Sequence, residues 1–167
     1  MKKGILMGLV AILAAGSFSL PVEAAGYKEI GQYGRPGCLV FEDTQEQIEE
    51  EIYLGELELL AQLVEAEAGN QPFEGKCLVV DTILNRVESS DFPNTISEVI
   101  FQDGQFSVIK NGAFDKAAWN MKDSDYAAVM CEVELHTNKD VLYFNNTSHV
   151  SGSGNLWKVG GHWFRNG

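Results

Sequence analysis

Among the 24 acidic residues of this 167-residue chain, helical phase singles out Glu67. At 100° per residue it falls about 20° from Leu60 and about 40° from Leu63. Glu65 falls about 140° from Leu60 and shares the side of Glu58 and Gln62. Glu67 therefore faces the apolar side of its helix, just ahead of the loop-forming Gly69-Asn70-Gln71-Pro72. A carboxyl group so placed must be paired, hydrogen-bonded or protonated, because burying it charged and alone is costly. Partial burial raises its pKa and lets it hold a proton near neutral pH, as a general acid requires. Phase alone leaves a plainer reading open, a glutamate near a helix end that accepts N–H bonds from the loop.

Other chemistries find less support. Cys38, Cys77 and Cys131 allow one disulfide with one thiol left over, and nothing in the spacing selects the pair. Cys77 and Cys131 fall on apolar helix faces, where a free thiol behaves as a small hydrophobe. There is no CxxC, and His136, His149 and His162 form neither an i,i+4 pair nor an HExxH arrangement, so no metal site is expected. No GxSxG is present for a serine nucleophile, and no cofactor is called for.

The elements that must position Glu67 are mainly helical. Thr44 and Gln47 are spaced as a capping box, opening a helix with Ile48, Ile52, Leu59, Leu60, Leu63 and Val64 on its apolar side, which Gly55 divides in two. Cys77, Val80, Leu84 and Val87 predict a second helix over Glu74 to Val87. Thr95 and Glu98 cap a third, running to Phe101. Ser124 to His136 forms a fourth, with Tyr126, Val129, Met130 and Val133 on one side and Asp123 or Ser124 as cap. Val141 to Asn145 is the strand candidate, followed by a Ser151–Gly154 loop. Arg86 is expected at the surface or in an ion pair.

Composition narrows the partners. With 12 basic against 24 acidic residues the formal charge is −12, which leaves no cationic surface for nucleic acid. An apolar content of 45% suffices for one core. Met1-Lys2-Lys3, the uncharged Gly4–Gly16 and the small residues of Val22-Glu23-Ala24 read as a signal peptide over 1–24, implying export and release from the membrane. Residues 25–45, Gly-rich and aperiodic, read as a linker or extended arm, and 46–167 as the folded domain.

The stretch from Leu59 to Ser107 resembles a known family, the cell wall hydrolases of the SleB/CwlJ type, which open the spore cortex. Ala66-Glu67-Ala68, the Pro and Gly that follow, Leu84-Asn85-Arg86-Val87, Phe92-Pro93-Asn94, Val99-Ile100 and Gln105-Phe106-Ser107 stand in that family's order and spacing. Leu142–Asn146 and Gly161–Phe164 resemble its closing elements. The resemblance implies a mainly α (α+β), lysozyme-like domain with a small β element. It implies cleavage of peptidoglycan glycan strands at N-acetylmuramic acid, with Glu67 as catalytic acid. Its lytic-transglycosylase version needs one carboxyl group and leaves a 1,6-anhydro end. Hydrolysis by water would need a second carboxylate about 5–9.5 Å away, and Asp81, Glu88, Asp91 and Asp103 are the candidates. A non-catalytic wall-binding module is the other reading.

A sugar cleft needs flat apolar surfaces beside fixed donors and acceptors. Gln105, Tyr143, Asn145, His162 and Asn85 are the expected substrate contacts, with Phe144 turned to packing because strand residues alternate. Asn85 also admits a second reading, a buried amide tying a helix to a loop. The expected setting is outside the cell, in the wall or spore cortex, with no protein partner indicated.

Overall fold

The computed structural model describes residues 27–28, 40–41 and 44–167. The expected signal peptide, Cys38 and most of the 25–45 arm lie outside them. The chain divides into two units, Met1–Glu51 and Ile52–Gly167. In the first, β1 (Tyr27–Lys28) pairs antiparallel with β2 (Val40–Phe41). Its helical end carries the expected capping box: Thr44 N–H donates to Gln47 Oε1 at 2.8 Å and Gln47 N–H to Thr44 Oγ1 at 3.3 Å.

Helix α1 (Gln45–Ala68) is continuous. Gly55 does not divide it, since a single glycine costs a helix only about 1 kcal/mol and this one lies inside a helix of 24 residues. The second unit continues with α2 (Phe73–Glu88), α3 (Ile96–Phe101), α4 (Ser107–Lys110), α5 (Ala113–Ala117) and α6 (Asp123–Leu135). Strands β3 (Val141–Asn145), β4 (Leu156–Val159) and β5 (His162–Asn166) form an antiparallel sheet in the order β3-β5-β4. The short α4 and α5 and the β4–β5 hairpin carry too few periodic positions to announce themselves in sequence. No described helix is long and apolar enough to cross a membrane.

One core joins these elements. Leu60, Leu63 and Val64 of α1, Val79, Val80 and Ile83 of α2, Val99 and Ile100 of α3, Val129 of α6, Val141 and Phe164 are all sealed from solvent. The inward face of α6 differs from expectation: Tyr126 and Met130 are exposed, while Asp125, Ala128, Val129 and Glu132 are buried. The reason is the partner that each acid finds inside. Asp125 accepts from Lys76 Nζ at 2.6 Å and, across the first turn, from Lys122 N–H at 2.7 Å. That second bond makes Lys122, not Asp123 or Ser124, the helix's entry residue.

Candidate active site

Glu67 lies in the last turn of α1, between the buried Val64 and Ala68, and is itself half-buried. Burial raises its pKa above the ordinary glutamate value. Its neighbour Glu65 is held differently, accepting from Lys122 Nζ at 2.8 and 2.5 Å. Glu67 has no ion-pair partner among the described residues. Both glutamates are partly buried, and what separates them is the lysine that Glu65 meets.

The loop after Glu67 is fastened to the sheet. Gln71 Oε1 accepts from Gly161 N–H at 2.6 Å, in the β4–β5 turn just before His162. Gly160 holds that turn at φ 57°, and a Cβ there would lie 2.5 Å from Gln71 Oε1. Only glycine permits so close an approach in the left-handed region.

A second cluster gathers several of the expected substrate contacts around one cation. Arg86 is buried, contrary to the surface or ion-paired role expected of it. Its guanidinium lies 5.0, 5.5 and 5.9 Å from the ring centres of Phe92, Phe106 and Tyr143. Nε donates to the Leu142 carbonyl at 2.9 Å and Nη1 to Gln105 Oε1 at 3.3 Å. Aromatic faces and carbonyl dipoles replace the missing carboxylate, and burial lowers the Arg86 pKa to about 10. Arg86 thus holds Gln105 and Tyr143 on one support. Around α2 it falls about 140° from the Cys77–Val80–Leu84–Val87 stripe, and it is buried all the same because that helix is covered on nearly every side.

His162 is buried, its ring 5.5 Å from Phe144 and 6.1 Å from Phe164. Burial lowers its pKa, so the ring is neutral at pH 7, and Nδ1 has no partner among the described residues. Phe144 packs as expected, against Phe106 and Phe164 at 6.1 and 5.8 Å. Asn145 is exposed at the end of β3, opposite Trp163. Trp119 stands 90% exposed and away from these rings.

Asn85 is corrected to the second of its readings. Nδ2 donates to Val141 O at 2.8 Å and Asn138 O at 2.9 Å, and Oδ1 pairs with His136 Nε2 at 2.8 Å. Both amide protons are spent on backbone, which leaves none for a sugar. Of the possible second carboxylates, Asp81 is buried and accepts from Asn138 N–H and the Thr137 hydroxyl. Asp103 is exposed and pairs with Lys110, which lowers its pKa. Glu88 and Asp91 are exposed. Two open cavities, of about 570 and 330 Å³, border Asn85 and Lys139 in one case and Glu65 and Lys122 in the other. Glu67 lines neither.

Residues 70–165, more than half of the chain, match the model of the Cell Wall Hydrolase family. The chain belongs to that family. Glu67 stands just ahead of the matched range. Two spore cortex-lytic enzymes, from Bacillus cereus and Bacillus subtilis, are each 40% identical over 57 residues, 34% of this chain. That stretch spans only 22% and 19% of those relatives. The catalytic domain of the germination-specific lytic transglycosylase SleB from Bacillus anthracis superposes with a TM-score of 0.55 at 27% identity, covering 66% of this chain and 93% of that one. The catalytic domain of Bacillus cereus SleB gives 0.57 at 26% identity, covering 68% and 91%. The mostly helical domain with its three-stranded sheet is thus the lysozyme-like fold expected.

Proposed function

We propose that this member of the cell wall hydrolase family cleaves the glycan strand of peptidoglycan, with Glu67 as general acid. The observation that carries the reading is the environment of one carboxyl group: half-buried, raised in pKa by that burial, and without an ion-pair partner among the described residues. The Bacillus anthracis neighbour is the catalytic domain of a germination-specific lytic transglycosylase, and one proton-bearing carboxyl group suits that chemistry. Glu67 gives its proton to the glycosidic oxygen next to N-acetylmuramic acid, the bond to the anomeric carbon breaks, and the resulting carboxylate takes the proton of the sugar's 6-hydroxyl. That oxygen closes on the anomeric carbon to give a 1,6-anhydro end.

Gln105, Tyr143 and Asn145 supply polar contacts to the strand, and His162, neutral and lodged among rings, buttresses or contacts it. Hydrolysis by water is the second reading. The burial of Asp81 and the pairing of Asp103 with Lys110 favour the single-carboxyl route over it. The setting we infer is outside the cell, in wall or spore cortex, reached by cleavage of residues 1–24. The net negative surface favours recognition of the glycan itself over adsorption to anionic wall polymers.

The test is digestion of purified cortex and vegetative sacculi by the chain and by Glu67→Gln. Muropeptide release should vanish in the variant while binding to sacculi persists; an unchanged rate would remove Glu67 from the chemistry. Product masses separate the routes. Anhydro ends are one water lighter than reducing ends, and reducing ends alone would replace the transglycosylase reading with hydrolysis.

A further inference from the structure

Helices α2 and α6 bring together a set of donors that their sequence positions, 54 residues apart, did not announce. The Sγ atoms of Cys77 and Cys131 and a carboxylate oxygen of Glu132 all lie within 4.8 Å of one another. Both cysteines are free thiols. A tetrahedral zinc site with sulfur ligands at about 2.3 Å has ligand separations of about 3.8 Å, so an approach of about 1 Å or less closes the set.

The group is built in three further respects. Glu132 is buried and oriented by Thr137 N–H, which donates to its Oε2 at 2.8 Å, the kind of outer contact that fixes a metal-bound carboxylate. Asp81, one turn after Cys77 and 0% exposed, has its Oδ2 occupied by Asn138 N–H at 3.0 Å, while its buried Oδ1 has no donor among the described residues. The Glu132 carboxyl is among its neighbours. Neither acid has an ion-pair partner among the described residues. Cys131 is only half-buried, which gives an ion a way in.

We propose that Cys77, Cys131 and Glu132 bind a thiophilic divalent cation of the zinc type, with Asp81 as the adjoining carboxylate. Thiolates select such ions over calcium or magnesium. Each thiol gives up its proton, the two thiolates and the carboxylate take the cation, and no electron is transferred. Burial and the neighbouring acids push the Cys77 thiol up and so hold its proton. A divalent cation reverses that effect. The bound ion would staple α2 to α6 without entering the reaction at Glu67.

The experiment titrates the full chain, reduced and metal-free, with cobalt(II), then with zinc(II). One equivalent of cobalt should give thiolate-to-metal charge-transfer absorption in the near ultraviolet and be displaced by zinc. Zinc should also raise the melting temperature. Cys131→Ser, a change at a partly exposed position, should lose both effects, whereas Cys38→Ser should keep them. Absence of the charge-transfer band would overturn the proposal, as would an equal band in Cys131→Ser. So would a reduced chain that takes up no cation while its air-oxidised form proves, by alkylation and mass, to link Cys77 to Cys131.

Discussion

The side-chain amide of Asn85 donates to the Val141 carbonyl at 2.8 Å, clamping the last turn of α2 to the first residue of the strand that carries Tyr143 and Asn145. A second bond to the Asn138 carbonyl, with His136 on the amide oxygen, makes the side chain a three-way joint. Replacing it with an apolar residue of similar size leaves the buried Val141 carbonyl without a donor and takes the partner from the part-buried Asn138 carbonyl and His136 ring. Asn85→Leu should therefore cost about 2–4 kcal/mol of stability, read by urea denaturation. A cost below about 1 kcal/mol would mean that water fills the joint.

The pKa of Glu67 gives a prediction whose sign is fixed. Its folded value is raised by burial, so the folded protein holds this proton at pH values where the unfolded chain has released it. Stability contributed at this site falls as pH rises from the unfolded value of about 4.3 through the folded one. Glu67→Gln removes that loss. The variant should melt higher than the parent at neutral pH and together with it near pH 3. Activity of the parent should decline as pH rises through the folded pKa, in a limb above the ordinary glutamate range. A variant that melts lower at pH 7 would show that the carboxylate is stabilised in the fold.

The phase rule that selects Glu67 did not select Lys76, Asp81, Arg86, Asp125 or Glu132, yet all five are buried. Helix α2 is covered on nearly every side, with Gly75 to Ile83 buried without a break, so its apolar stripe does not mark which polar residues go inside. Nor does phase say what each of them meets. That depends on the other helix: Lys76 finds Asp125, Arg86 finds three rings, and Cys77 finds Cys131 and Glu132. Tyr126 and Met130 mislead for the complementary reason, being apolar residues on a face that no other element covers. The helices with capping boxes were readable to within a residue or so, because a box is a local contact. The β4–β5 hairpin was not, since its place against Gln71 is set by chain 90 residues away.

Lys76 and Asp125 supply a stability test independent of the reaction. Their bond is 2.6 Å long and both side chains are almost sealed from solvent. Removing one partner leaves the other charge buried and unpaired. Lys76→Met should cost about 3–5 kcal/mol. The double change Lys76→Met with Asp125→Leu should recover most of that loss, because it removes both desolvation costs together. Thermal and denaturant unfolding of the three variants measure the cycle. A double variant as unstable as the sum of the singles would show no direct coupling.

The tie between Gln71 and Gly161 should matter more to turnover than to stability. One hydrogen bond at a half-exposed position is worth about 1 kcal/mol, so Gln71→Ala should unfold only slightly earlier than the parent. It frees the loop that begins two residues after Glu67, however, and the acid's oxygen must meet the glycosidic oxygen within hydrogen-bond reach. The rate at saturating substrate should drop at least tenfold, with little change in binding to sacculi. Gly160→Ala should give the same drop by another cause: its Cβ would meet Gln71 Oε1 at 2.5 Å and Pro72 Cδ at 2.7 Å at a φ of 57°. There the added strain of a left-handed alanine, about 1–2 kcal/mol, should also lower the melting temperature. Full turnover in Gln71→Ala would mean that α1 positions Glu67 without help from the loop.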